Sequence, residues 1–416
     1  MLRSGKVPDG GSGRNVQHAT GCARSNNRVP GLKMNKTDFL NLLAKIVKTR
    51  TISSDNPNED CSNMELVELL KKEAARRNGI CTEDVVLTRP NKNNLLIRFG
   101  NGTGGILFSG HTDTVPYDRS KWKTDPFIMK EEEDRYTGLG IIDMKGFFAH
   151  VFAALDSINL KQLIRPVYIL ATVDEETTMV GANMFSNKEQ NIQPDFCLIG
   201  EPTSLYPVIQ HKGYMAYRLT VTGKSGHSSN PALGVNAIYT MNRLIEQLMI
   251  FENELRSRYS EPGFDIPYPT LNIGAISGGD SPNRICGECE ILFDIRPLVS
   301  TPCTMIENRI REIINKIPKQ ENLEIQLTAL YDHIEPFKTE PDNEYVKYLE
   351  ELTGHRAISV NYCTEASFLK NLNCPLAICG IGSIDNAHQP NEYLPKNDLE
   401  NYHRILAELI KKICMN

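Results

Sequence analysis

Three apolar runs constrain this chain most: Gly105–Ser109 (Gly-Ile-Leu-Phe-Ser), Pro166–Val173 (Pro-Val-Tyr-Ile-Leu-Ala-Thr-Val) and Asp195–Ile199 (Asp-Phe-Cys-Leu-Ile). They are close to continuously apolar, which suits strands buried on both faces. Helical patterns alternate with them. Residues 144–158 carry Phe147, Phe148, Val151, Phe152, Leu155 and Ile158 on one face, and a second helix falls near 178–187. Upstream, a helix is expected at 65–77 and strands at 83–89 and 94–98. Still earlier, Thr37 is placed to cap a helix bearing Phe39, Leu40, Leu43, Ile46 and Val47. Strands alternating with helices predict an α/β domain with a mixed sheet covered by helices on both faces.

The texture changes after Pro207. Residues 211–222 alternate like a half-exposed strand, followed by a helix at 234–258, strands at 270–277 and 286–296, a helix at 302–316 and a strand at 323–331. That order, β-α-β-β-α-β, is a split-βαβ pattern. The α/β texture then resumes at 341–353, 358–361, 364–371, 375–379 and 399–413. The expected organisation is one larger domain, 34–208 with 335–416, interrupted by a smaller α+β domain at 209–334. Residues 1–33 hold six basic residues, one acid and almost no large apolar side chain, and are expected to be a disordered leader.

Charge and cysteine usage narrow the function classes. The net charge is −5, a poor footprint for nucleic acid. No apolar run approaches the ~20 residues of a membrane helix. Eleven cysteines without framework spacing suit free thiols and a cytoplasmic location. Cys286 and Cys289 form a lone C-x₂-C without a second pair, a weak zinc signal. Gly138-Leu-Gly lacks the third glycine of a dinucleotide fingerprint, and no Gly-x-Ser-x-Gly elbow occurs.

The informative residues follow the strands. Ligands of open α/β sheets gather beyond the carboxyl ends of strands. The first buried run leads into His111 and Asp113, the second into Asp174, Glu175 and Glu176, and the third into Glu201. Asp143 closes the loop from Gly138, and His388 follows the strand at 375–379. Two histidines with several carboxylates suit a divalent transition metal, zinc first. Each has a plainer role available: Asp143 as the N-cap of the next helix, Glu175 and Glu176 as acids at a helix start, His388 as a surface histidine. Their coincidence at strand ends favours the metal. Of two adjacent carboxylates, one can bind the ion while the other moves protons.

These stretches resemble the M20 family of dinuclear metallo-hydrolases. Ser109–Val115 (Ser-Gly-His-Thr-Asp-Thr-Val), Gly138–Gly146 and Asp174-Glu175-Glu176 look like its metal motifs. Ile199–Leu205, His211–Gly213, Ser225–Ser229, Asn283–Cys286, Asp294–Pro297, Tyr362–Ala366 and Ala387–Tyr393 are similar to the members that deacetylate N2-acetylornithine. The resemblance covers about residues 36–414. It implies a metal-dependent amide hydrolase that releases acetate and L-ornithine from N2-acetyl-L-ornithine, a step of arginine biosynthesis. Related desuccinylases, aminoacylases and dipeptidases would share every metal residue. From another class, a non-catalytic metal-dependent binding protein would have no need of a base.

The resemblance also implies roles. Two ions, Zn²⁺ or Co²⁺, would be held by His111 and Glu201 on one side and Glu176 and His388 on the other, with Asp143 bridging. Asp113 would accept the second ring N–H of His111, and Glu175 would be the general base. A cis peptide would follow Asp143. The 209–334 domain would be a lid and homodimer contact, carrying His227 to an active site, that of the partner subunit. For the substrate, Arg284 helped by Asn283 is the candidate for its carboxylate, and Glu365 the candidate counter-charge for its δ-ammonium.

Overall fold

The computed structural model describes residues 36–86, 89, 91–188 and 192–416. The leader expected at 1–33 lies outside the described residues. The large sheet runs in the order Ile80–Val85, Asn93–Phe99, Val167–Thr172, Ile106–His111, Phe196–Pro202, Leu376–Gly380, Val208–His211 and Phe337–Lys338, with Ile358–Val360 also paired to Val208–His211. Its four middle strands, from Val167–Thr172 to Leu376–Gly380, are mutually parallel, and antiparallel strands flank them on both sides. All four are buried along their whole length, as their apolar sequences require.

Helices Lys36–Lys48, Phe147–Asp156 and Leu399–Cys414 pack together against this sheet. Phe147–Asp156 is buried all round except at its last residue. A helix whose only polar side chains are His150 and the terminal Asp156 belongs in the middle of a core. Two expected starts move. The first helix begins at Lys36, ahead of Thr37, so Thr37 is inside it. The helix expected from 144 begins at Phe147 with Gly146 at its N-cap, so Asp143 is free of capping duty.

The expected strand 211–222 divides in two. Val208–His211 belongs to the large sheet, and Met215–Thr222 to a second, four-stranded antiparallel sheet ordered Thr270–Gly278, Glu288–Arg296, Met215–Thr222, Glu324–Ala329. The chain crosses at Gly213, where a Cβ would lie 2.4 Å from the carbonyl oxygen of Ile334. It returns at the same place, since Tyr214 and Ile334 bond to each other across the gap. Helices Ala237–Arg258 and Cys303–Asn315 cover one face of the second sheet and give it a separate apolar core. A short ribbon pairs Gly226–His227 with Arg284–Ile285. Every described cysteine is a free thiol.

Candidate metal centre

Parallel strands end on the same edge of a sheet, and here that edge collects the residues the strands lead into. His111 is the last residue of Ile106–His111, and Glu201 lies one residue before the end of Phe196–Pro202. Glu175 and Glu176 follow Val167–Thr172, and His388 follows Leu376–Gly380. Asp143 joins them from the loop before the buried helix. His111 Nε2 lies 3.1 Å from Asp143 Oδ1 and 3.7 Å from Glu201 Oε1. His388 Nε2 lies 3.1 Å from Asp143 Oδ2 and 2.9 Å from Glu176 Oε2. The two oxygens of Asp143 thus face different imidazoles. Ligand atoms of His111, Glu175 and Glu201 fall within 4.8 Å of one another, as do those of His111, Asp143 and Glu176.

The electrostatics of this cluster are strained in a way a cation would relieve. Burial, and then neighbouring carboxylates, push Glu175 and Glu201 well above the usual carboxylate range. Glu176 rises to about 7 for the same reasons. Burial also raises Asp143, but His111 and His388 more than reverse it. Burial lowers the His111 imidazole, while Asp113 and Asp143 outweigh it and hold the ring well above its normal value. Asp143 and Glu176 lift His388 to about 11. Four carboxylates packed around two imidazoles, with His111, Asp143 and Glu201 buried, Glu175 and Glu176 half-buried and His388 exposed, form a donor set of nitrogen and oxygen that fits divalent transition metals.

Asp113 serves otherwise than expected. The nearest partner of His111 Nδ1 is the backbone carbonyl of Asp113 at 3.0 Å, with the Asp113 carboxylate farther off at 3.6 Å. That carbonyl accepts the Nδ1–H and leaves Nε2 facing the cluster. The Asp113 carboxylate instead accepts the backbone N–H groups of Glu175 and Glu176, at 3.3 and 3.1 Å. It therefore pins the turn that bears both glutamates.

Glu365 also moves to a different place. It is fully buried beneath the strand ends, where Ser109 donates to one oxygen and Thr172 to the other at 2.7 Å. A carboxylate enclosed in this way does not face an incoming ammonium group, so the expected substrate contact is withdrawn. No cis peptide bond occurs among the described residues, so the Asp143–Met144 bond is trans.

His227, Asn283 and Arg284 meet on the short ribbon, where His227 pairs with Arg284. All three are exposed. Their hydrogen bonds are local: His227 with Ser229, Asn283 with Ser281, Arg284 with Asp280.

Three supporting groups fall inside the motif stretches 138–146, 174–176 and 387–393, but the sequence leaves them without a role. Glu392 is buried and accepts three backbone N–H groups from the Asp143 loop. Burial and the nearby Asp143 charge push it up to about 8. Asp174 takes a left-handed backbone (φ 56°) and is held by Ser53, by Lys92 and by Arg89 at 3.0 Å. Lys145 is buried and donates to the carbonyls of Thr49 (2.6 Å) and Val47 (3.3 Å). Their partners lie far away in sequence, beyond the reach of local patterns.

Comparison with known proteins identifies the family. The acetylornithine deacetylase of Aliivibrio salmonicida (strain LFI1238) is 44% identical over 377 residues, 91% of this chain and 99% of that protein. That of Vibrio cholerae serotype O1 (strain M66-2) is 42% identical over 377 residues, 90% and 98% of the two chains. Among solved structures, aminopeptidase PepT from Bacillus cereus ATCC 10987 superposes with a TM-score of 0.72 at 18% identity, covering 91% of this chain and 99% of that one. The M20 family metallo-carboxypeptidase Sso-CP2 from Sulfolobus solfataricus gives 0.69 at 19%, covering 90% and 98%. At such low identity these two speak for the fold. The model of peptidase family M20/M25/M40 matches residues 107–412. With that match and these relatives, this chain belongs to the M20/M25/M40 family.

Proposed function

We propose that this protein is a dinuclear metal-dependent deacetylase that hydrolyses N2-acetyl-L-ornithine to L-ornithine and acetate. The observation that carries the chemistry is Asp143, whose two oxygens face two separate imidazoles within a ring of buried and half-buried carboxylates. The substrate rests on the names of the relatives at 42–44% identity. In this reading His111 and Glu201 would hold one ion, Glu176 and His388 the other, and Asp143 would serve both. Zn²⁺ or Co²⁺ fits the donors. Such ions supply Lewis acidity, polarising the amide carbonyl and letting a water ionise near neutrality.

The chain's own groups do the rest. Glu175 is the base: it takes the proton of the attacking water and returns it to the departing α-amine. Among the described residues no side chain hydrogen-bonds its carboxylate, so it is available for this traffic, while Asp113 fixes its backbone. His227 donates a hydrogen bond to the developing oxyanion, and Arg284 with Asn283 receives the substrate carboxylate. They share a ribbon, so one movement would deliver all three. The part of 209–334 beyond the crossing at Gly213 acts as a lid and homodimer contact that brings the ribbon to the partner's centre. The exposed edge strand Thr270–Gly278, with Ile276 63% exposed, supports this. The protein works in the cytoplasm; no described helix is long and apolar enough to cross a membrane.

The test is release of the free amine, with acetate from N2-acetyl-L-ornithine and N-acetylmethionine or succinate from succinyl-diaminopimelate, by metal-loaded and chelator-treated protein. Metal-dependent release, fastest from acetylornithine, is expected. Faster turnover of another substrate would reassign the specificity, and no turnover with two ions bound would leave a binding protein.

A further inference from the structure

We infer that Glu392 is a positioning residue for the metal centre, tying the loop that carries Asp143 to the loop that carries His388. The inference rests on the proposal that these two side chains are metal ligands. Glu392 Oε1 accepts the N–H groups of Ile142 at 2.8 Å and of Asp143 itself at 3.1 Å. Its Oε2 accepts that of Gly140 at 2.8 Å. Its backbone takes part as well. The Glu392 carbonyl accepts from Gly138 N at 3.0 Å, and Glu392 N donates to the Gln389 carbonyl at 3.2 Å, closing a turn one residue after His388. Immediately afterwards Tyr393–Pro395 pairs with Arg135–Thr137, the strand that leads into the Asp143 loop. The two loops are thus zipped together, with the Glu392 carboxylate at the end of the zip nearest the cluster.

Two features make this more than a satisfied buried acid. His388 sits at φ 58°, a left-handed backbone that a residue with a side chain holds only where its surroundings impose it. In addition, its Nε2 contacts both Asp143 and Glu176, so a small slip of either loop separates the donors. Groups that hold ligands in this way typically govern metal affinity as well as packing. A glutamine at 392 offers one oxygen where two are used, and its amide N–H₂ would face a backbone donor.

The experiment is a calorimetric titration of metal-free protein with Co²⁺. The wild type should take up two ions in separable steps, and His388→Ala should lose the step to which His388 belongs. Glu392→Gln should weaken that same step by about 10–100-fold while the metal-free protein keeps its circular-dichroism spectrum. Equal affinities in Glu392→Gln and wild type overturn the inference, whatever the melting temperature does. If His388→Ala binds both ions like the wild type, the metal assignment fails and the inference falls with it. Should Glu392→Gln not fold, Glu392→Asp, which withdraws the carboxylate by one methylene, is held to the same criteria.

Discussion

The division of labour between Glu175 and Glu176 is open to direct attack. Glu175→Gln keeps the size of the side chain and removes its charge. The lost carboxylate is penalised by burial first and by Glu176, Asp113 and Asp143 as well, so the metal-free variant should be no less stable than the wild type. If Glu175 only moves protons, both ions should stay. Positioned general acid–base help is worth about 10²–10⁴-fold in rate, or about 3–5 kcal/mol of transition-state stabilisation. The assay is kcat and KM for acetylornithine beside metal content by mass spectrometry. Turnover within tenfold of the wild type would refute the role. Loss of metal together with activity would refute it differently. Ligand atoms of Glu175, His111 and Glu201 lie within 4.8 Å, so that result would make Glu175 a ligand. Glu176→Gln supplies the contrast. It removes a carboxylate 2.9 Å from His388 Nε2 and should lower metal content first.

Other consequences are independent of the chemistry. His150 and His403 are buried side by side, Nδ1 to Nε2 at 2.8 Å, and burial lowers both, His403 to about 4. Their folded pKa lies below the ordinary ~6.5, so the stability they allow is present above that pH and is lost as pH falls towards 4. Urea midpoints should show a loss of roughly 2 kcal/mol from His403 between pH 7.5 and 5, and His403→Gln should flatten that slope. Gly200→Ala would place a Cβ 2.2–2.5 Å from three atoms of the buried Phe147 ring, and should cost about 1–3 kcal/mol or more in thermal stability. Lys92→Met would strip Asp174 and Asp60 of a buried cation and should destabilise by about 3 kcal/mol, read from chemical denaturation. An unchanged midpoint would show that Arg89 alone suffices for Asp174.

What the chain announces by itself is whatever local pattern can carry. Short continuous apolar runs bounded by turn residues suit strands covered on both faces, and their ends then name His111, Glu175, Glu176, Glu201 and the loop of His388 as neighbours. The change of rhythm after Pro207 announces the second sheet and its two helices. The division of labour around the cluster was not written there. The Asp113 carboxylate holds the backbone of residues 62 and 63 positions away. Glu365 looks like a free acid beside Thr364 until Ser109 and Thr172 close over it. Glu392 reaches donors about 250 positions earlier. Backbone N–H groups and hydroxyls are common to every sequence and leave no local mark, so only the tertiary fold decides which carboxylates face a cation and which hold the loops behind them.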